Sequence, residues 1–179
     1  MRNDIAKILI SEEQLKSRIK ELGKQITEDY KGEDLLLVGV LKGCVLFLSD
    51  LSREIDLPLT MDFMVVSSYG SSTKSSGVVR IIKDLEADIH NKNVLIVEDI
   101  VDTGLTLSYL IEILKSRNPK SIKVCSLLDK PERRKVSVDI AYTGFTIPDE
   151  FVIGYGLDYA EVYRNLPFVC VLKPEVYTK

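Results

Sequence analysis

VLIVEDIVDTGLTL, residues 94–107, decides how this chain is read. Val94 to Val97 form an apolar run, a buried-strand candidate. Three carboxylates come next, Glu98, Asp99 and Asp102, followed by a Thr-Gly turn and a helical pattern. Free backbone N–H groups collect at a helix N-terminus, so a strand running into such a turn suggests an anion site. Three negative charges crowded beside that site need their own explanation.

Outward from this stretch, strands alternate with helices. Leu107, Leu110, Ile111 and Leu114 mark one face of the helix, which ends near Asn118-Pro119. Upstream, Leu35 to Leu41 is a continuous apolar run, short enough for a buried strand. A turn begins at Gly43, and Val45, Leu48 and Leu51 predict a helix to about Glu54. Ser11 to Tyr30 reads as a helix: Ser11 and Gln14 form a capping-box pair, and Leu15, Ile19, Leu22 and Ile26 recur at helical spacing. Residues 59–66 and 78–83 have strand character, as do Ser121 to Leu128. Asp139 to Tyr142, Phe151 to Ile153 and Phe168 to Leu172 are shorter apolar segments. The alternation predicts a single α/β domain over 1–179, with a mainly parallel central sheet flanked by helices. The terminal segments are expected to form a small cap.

Between two of the predicted strands lies SSYGSSTKSSG, residues 67–77. It is rich in Ser and Gly and has little to bury, so it is expected to be a mobile loop, placed where a lid would sit.

Composition narrows the function classes. The chain has 179 residues, 45% of them hydrophobic, and a net charge of −3. That charge gives no bulk electrostatic case for a nucleic-acid partner. Cys44, Cys125 and Cys170 are odd in number and widely spaced, which fits buried free thiols rather than a disulfide framework or a zinc knuckle. The first residues lack the apolar core of a signal peptide, and no apolar run approaches the roughly 18 residues of a membrane span. The expectation is a soluble, cytoplasmic protein without a membrane partner.

In open α/β sheets, ligands bind at the carboxyl ends of the strands. Lys42-Gly43, Glu98 to Thr106, and Asp129-Lys130 all fall at such ends, so they are expected to converge on one cleft. There is no GxxxxGK[ST] and no GxGxxG after a strand, which argues against a nucleoside-triphosphatase loop and against dinucleotide binding. Adjacent carboxylates repel each other and need a partner. Sugar hydroxyls would serve, as would Mg²⁺, an oxygen-seeking ion that keeps several waters. A phosphorylated sugar answers both halves of the motif, with phosphate on the helix amides and hydroxyls on the acids.

The same fourteen residues resemble the 5-phosphoribosyl 1-pyrophosphate signature of the type I phosphoribosyltransferases. LKGC at 41–44, SSY at 67–69, SLLDKPERR at 126–134 and FVIGYGLDYAEVYRNLPFVCVL at 151–172 resemble the hypoxanthine (hypoxanthine-guanine) members of that family, in order along nearly the whole chain. The resemblance implies transfer of a phosphoribosyl group to a 6-oxopurine, with Mg²⁺ as cofactor and pyrophosphate released.

It also implies residue roles. Glu98 and Asp99 would face the ribose hydroxyls and the metal, with Asp158 a further metal-associated acid. Asp102, Thr103, Gly104, Leu105 and Thr106 would hold the 5′-phosphate, and Asp102 would accept the proton of purine N7. Lys130 would bond the 6-oxo group, Phe151 would stack on the base, and the Val152 backbone would read its edge. Lys42, Gly43 and Arg164 would contact pyrophosphate, with a cis peptide between Leu41 and Lys42. Ser68 and Tyr69 would begin the closing loop. Some family members carry Lys where this chain has Leu105, so here the phosphate would rely more on amides and threonine hydroxyls. A homodimer or homotetramer is implied.

Other readings make different demands. A non-enzymatic nucleotide-sensing regulator on the same fold would show a basic face and loss of the base pocket. A flavodoxin-like or receiver domain would leave the TGLT turn unexplained. A transferase for another base, such as xanthine or a pyrimidine, is a further alternative; the DKPERR and FVIGYGLDY segments argue for a 6-oxopurine and do not rank hypoxanthine, guanine and xanthine.

Overall fold

The computed structural model describes residues 1–68 and 79–178. Six strands form the central sheet: β2 (Leu35–Leu41), β3 (Leu59–Ser68), β4 (Val79–Lys83), β5 (Asn93–Val101), β6 (Ser121–Asp129) and β7 (Tyr142–Thr146), in the order β4-β3-β2-β5-β6-β7. All neighbours are parallel except the edge pair β3–β4. A parallel sheet needs both faces covered, and the sequence supplies two apolar faces per strand. On β2, Leu35 and Leu37 face one core while Leu36, Val38 and Val40 face the other; on β5, Leu95 and Val97 oppose Val94 and Ile96.

Helices α1 (Glu12–Asp29) and α2 (Val45–Glu54) cover the first face, and α3 (Leu105–Lys115) covers the second. The predicted capping box is present: Gln14 N donates to Ser11 Oγ at 3.2 Å, and Ser11 N donates to Gln14 Oε1 at 2.8 Å. All three cysteines are free and buried.

The cap is a separate antiparallel sheet, ordered β1-β9-β8, from β1 (Ile5–Ile10), β8 (Val152–Ile153) and β9 (Val169–Leu172). A four-residue helix, α4 (Pro174–Tyr177), follows it. Both chain ends therefore build the cap, as expected.

Two boundaries differ from the sequence expectation in ways that matter for the site. β5 does not stop at Val97. It continues through the acids to Val101, because pairing with β6 persists to Val101↔Asp129. β3 extends to Ser68, which turns the first two residues of the Ser/Gly stretch into strand. The rest of that expected loop, 69–77, lies outside the described residues.

Candidate active site

β5 delivers the acid pair to the carboxyl end of the sheet. Glu98 is buried, and burial together with the neighbouring Asp99 charge pushes its carboxyl well above the usual range. Burial raises Asp99 to about 6, against the pull of backbone donors and of Arg164. Ile100 N donates to Asp99 Oδ1 at 2.8 Å. The turn after β2 lies directly against this acid: a Cβ on Gly43 would sit 1.6 Å from Asp99 Oδ2. Gly156, at φ +101, presses on Gly43 in turn, where a Cβ would sit 2.0 Å from the Gly43 carbonyl oxygen. The Leu41–Lys42 peptide is cis, as expected.

Beyond the acids the chain turns into α3. Gly104 caps this helix at φ +80, with no side-chain cap bond. Thr103 Oγ1 accepts from Leu105 N at 3.4 Å, whereas the Asp102 side chain is not spent on capping, the plain structural role open to it. The 131–136 segment holds the turn. Lys135 N and Val136 N donate to Thr103 O at 2.9 and 3.3 Å, and Arg134 Nε donates to Asp102 O at 3.1 Å. Arg134 also pairs with Asp129. Glu98, Asp102, Thr103, Gly104 and Thr106 line a cavity of 120 Å³ at the first turn of α3. Larger hollows lie between α1 and α2 and at the amino ends of β2 and β3. Chemistry rather than size marks the site.

The third cluster is Lys130. Its N–H donates to Val101 O at 3.0 Å, which ties the end of β6 to the end of β5. The side chain is buried, and Nζ donates to Glu150 O at 2.8 Å. A surface role in the DKPERR charge run is thereby excluded. Arg133, in the same run, has Nε 3.1 Å from Asp102 Oδ1 and Nη1 3.6 Å from Asp149 Oδ1; Lys130 Nζ lies 3.6 Å from the same Asp149 oxygen. An alternating chain of charge, Asp102–Arg133–Asp149–Lys130, so links two of the sequence-nominated residues. Phe151 follows Glu150 and is exposed, and Val152 is buried in β8.

Asp158 and Arg164 meet as an ion pair at 2.7 Å, and Arg164 Nη1 also donates to Gly156 O at 2.7 Å. Lys42 Nζ pairs with Glu161 at 2.9 Å. The expected three-acid metal set is not formed: among the described residues no cluster of three His, Cys, Asp or Glu side chains is placed to hold a metal ion. Asp158 is drawn to Arg164 instead, since a guanidinium is the nearer countercharge. The remaining pair, Glu98 and Asp99, fits Mg²⁺ in its usual mode, with one or two carboxylates and the other positions left to water and substrate phosphate. Two neighbouring acids held partly out of water also need a cation or hydroxyl donors to ionise comfortably. Of the expected loop residues, Ser68 ends β3 and Tyr69 lies outside the described residues.

The structure therefore brings together Lys42, Gly43, Glu98 to Thr106, Lys130, Asp158 and Arg164. Sequence reading missed Arg133 and Glu161, which supply the countercharges. Both sit in charged stretches where nothing in the spacing singles out one residue.

A family model for the phosphoribosyl transferase domain matches residues 8–160. This chain belongs to the phosphoribosyltransferase family. Among its relatives, the hypoxanthine-guanine phosphoribosyltransferase of Bacillus subtilis is 55% identical over 177 residues, covering 99% of this chain and 98% of that one. The "Bifunctional protein TilS/HprT" of Listeria innocua is 56% identical over 179 residues, but this chain spans only 28% of its length. A crystal structure of a hypoxanthine phosphoribosyltransferase from Staphylococcus aureus superposes with a TM-score of 0.98 at 54% identity, covering 100% of this chain and 97% of that one. The phosphoribosyltransferase fold thus extends over the whole chain, cap included.

Proposed function

We propose that this chain transfers the 5-phosphoribosyl group of 5-phosphoribosyl 1-pyrophosphate to N9 of a 6-oxopurine, hypoxanthine or guanine, and releases pyrophosphate. The observation that carries the reading is the acid pair Glu98–Asp99, held between the Lys42–Gly43 turn and the α3 N-terminus, with Lys130 one strand away. The names borne by relatives at 54–56% identity support the choice of base.

In the reaction the bond from ribose C1 to pyrophosphate breaks as the bond from C1 to N9 forms, through a transition state with oxocarbenium character. The proton on purine N7 passes to the Asp102 carboxylate. Glu98 and Asp99 accept hydrogen bonds from the ribose hydroxyls and would hold Mg²⁺. When bound, that ion neutralises charge on the diphosphate. Amides at the start of α3, with the Thr103 and Thr106 hydroxyls, hold the 5′-phosphate. Lys42, Gly43 and Arg164 receive pyrophosphate. Its oxygens would take the places that Glu161 and Asp158 hold beside those cations. Ser68 and Tyr69 would contribute to excluding water from the centre.

Lys130 donates to the 6-oxo group, Phe151 stacks on the base and the Val152 backbone reads its edge. Adenine would set an amino donor against the lysine, a mismatch worth about 1–3 kcal/mol when buried. The proposed setting is the cytoplasm and the proposed assembly a homodimer or homotetramer; among the described residues no helix is long and apolar enough to cross a membrane.

Initial rates with hypoxanthine, guanine, xanthine and adenine, each with 5-phosphoribosyl 1-pyrophosphate and Mg²⁺, test the proposal. Hypoxanthine and guanine are expected to turn over and adenine is not. No nucleotide product from any 6-oxopurine would reject it.

A further inference from the structure

Phe151 does not stand alone. Tyr177, the last residue of α4, stacks on it with ring centroids 4.9 Å apart and planes at 29°. Tyr159 meets Phe151 edge-on at 5.8 Å and Tyr177 at 6.4 Å, closing an aromatic trio. Helix α4 is tied down at its start, where Lys173 N donates to Asp4 O at 2.9 Å, and Val176 and Tyr177 pack on the cap core. Asp4 is held in turn by the Tyr163 hydroxyl at 3.0 Å. The tyrosine ring is therefore fixed by backbone and packing from both chain ends. Phe151 is stacked by Tyr177 and met at 86° by Tyr159, yet 41% of the residue stays exposed. A large apolar ring that is braced by two neighbours and still exposed is a platform.

Resting on the proposed purine reaction, we infer that Tyr177 is a positioning residue for the base: it fixes the plane of Phe151, so that the purine stacks on a pre-set ring. An unbraced phenylalanine would rotate about χ2 and lose part of the stacking geometry. Aromatic pairs contribute modestly beyond their buried area. Loss of the pair should therefore raise the KM for base about 3- to 10-fold.

The experiment compares wild type, Tyr177→Leu and Tyr177→Phe in steady state, varying hypoxanthine and 5-phosphoribosyl 1-pyrophosphate separately, with Tm measured alongside. Tyr177→Leu should raise the hypoxanthine KM by that factor and leave the 5-phosphoribosyl 1-pyrophosphate KM unchanged. Tyr177→Phe keeps the ring and should restore the hypoxanthine KM to within about twofold of wild type. An unchanged hypoxanthine KM in Tyr177→Leu overturns the inference. So does a lowered one, which would mean that the tyrosine competes with the base. A joint rise of both KM values with a fall in Tm also overturns it, as the mark of a merely structural role. The wild-type arm separates the two proposals, since absence of hypoxanthine turnover there rejects the purine reaction itself.

Discussion

Asp102 shows what a single residue's surroundings add to its chemistry. It sits at the mouth of the α3 turn, 41% exposed in its side chain, with Oδ1 buried beside the Arg133 guanidinium, its one close cation among the described residues. An acid so placed is free to accept a proton from a base that displaces the arginine. Removing that acceptor should slow turnover by about 10²–10⁴-fold, the usual span for a general acid–base contribution. Asp102→Asn keeps the size of the side chain and is expected to lower kcat by that order. The dissociation constant of 5-phosphoribosyl 1-pyrophosphate should change far less. Comparable kcat in mutant and wild type would remove Asp102 from the proton path. The place of this residue beside the helix turn was legible in the sequence because VEDIVDTGLT is a contiguous run. Its partner Arg133 was not, because the contact joins two loops 31 positions apart, and no periodicity relates them.

At the scale of elements, regular burial made the fold readable. α1, β2, β5 and α3 each present apolar faces at their own period, and each was recognised within a few residues. β1 was missed. Only Ile10 of its residues is buried, and its pairing partner, β9, lies at the other end of the chain, so neither local pattern nor a nearby turn announces it. The true end of β5 was missed for a related reason. Charged residues read as a strand end, whereas the ladder to β6 carries them onward to Val101.

Two glycines separate fold from site at this scale. The atom nearest a Cβ on Gly43 is the tip of the Asp99 side chain, which can swing away. Gly43→Ala should therefore fold with nearly unchanged Tm but displace the acid, and a displacement of about 1 Å can cost about 100-fold in rate. A Cβ on Gly156 would meet the backbone carbonyl of Gly43 at φ +101, and neither can yield cheaply. Gly156→Ala should lose stability as well as activity, by about 1–3 kcal/mol for the forced overlap. Thermal melts beside kcat/KM distinguish the two, and an active Gly43→Ala enzyme would contradict the contact drawn between the β2 turn and Asp99.

Across the whole molecule, the site is built against stability. The sheet is buried on both faces, and among the described residues the acid pair at the carboxyl end of β5 is a concentration of poorly compensated charge. Burial raises Asp99 from an ordinary value of 3.8 to about 6. A carboxyl raised in the folded state favours folding fully only below its unfolded pKa. That contribution is lost as pH rises from about 4 to about 6, and above this range the folded protein carries a charge it would hold more easily unfolded. Asp99→Asn retains the oxygen that accepts from Ile100 N and removes the charge. The ligand-free variant should therefore melt above wild type by about 2–6 °C at pH 8, and the advantage should shrink toward zero near pH 4. With 5-phosphoribosyl 1-pyrophosphate and Mg²⁺ the order should reverse, because ligands that bind only the folded form stabilise wild type by mass action and lack one anchoring carboxylate in the variant. Melting curves from pH 4 to pH 8, with and without those ligands, check both halves. If the ligand-free variant melts at or below wild type at pH 8, the strain is absent. If the ligands raise both proteins equally, Asp99 is not the carboxylate they use.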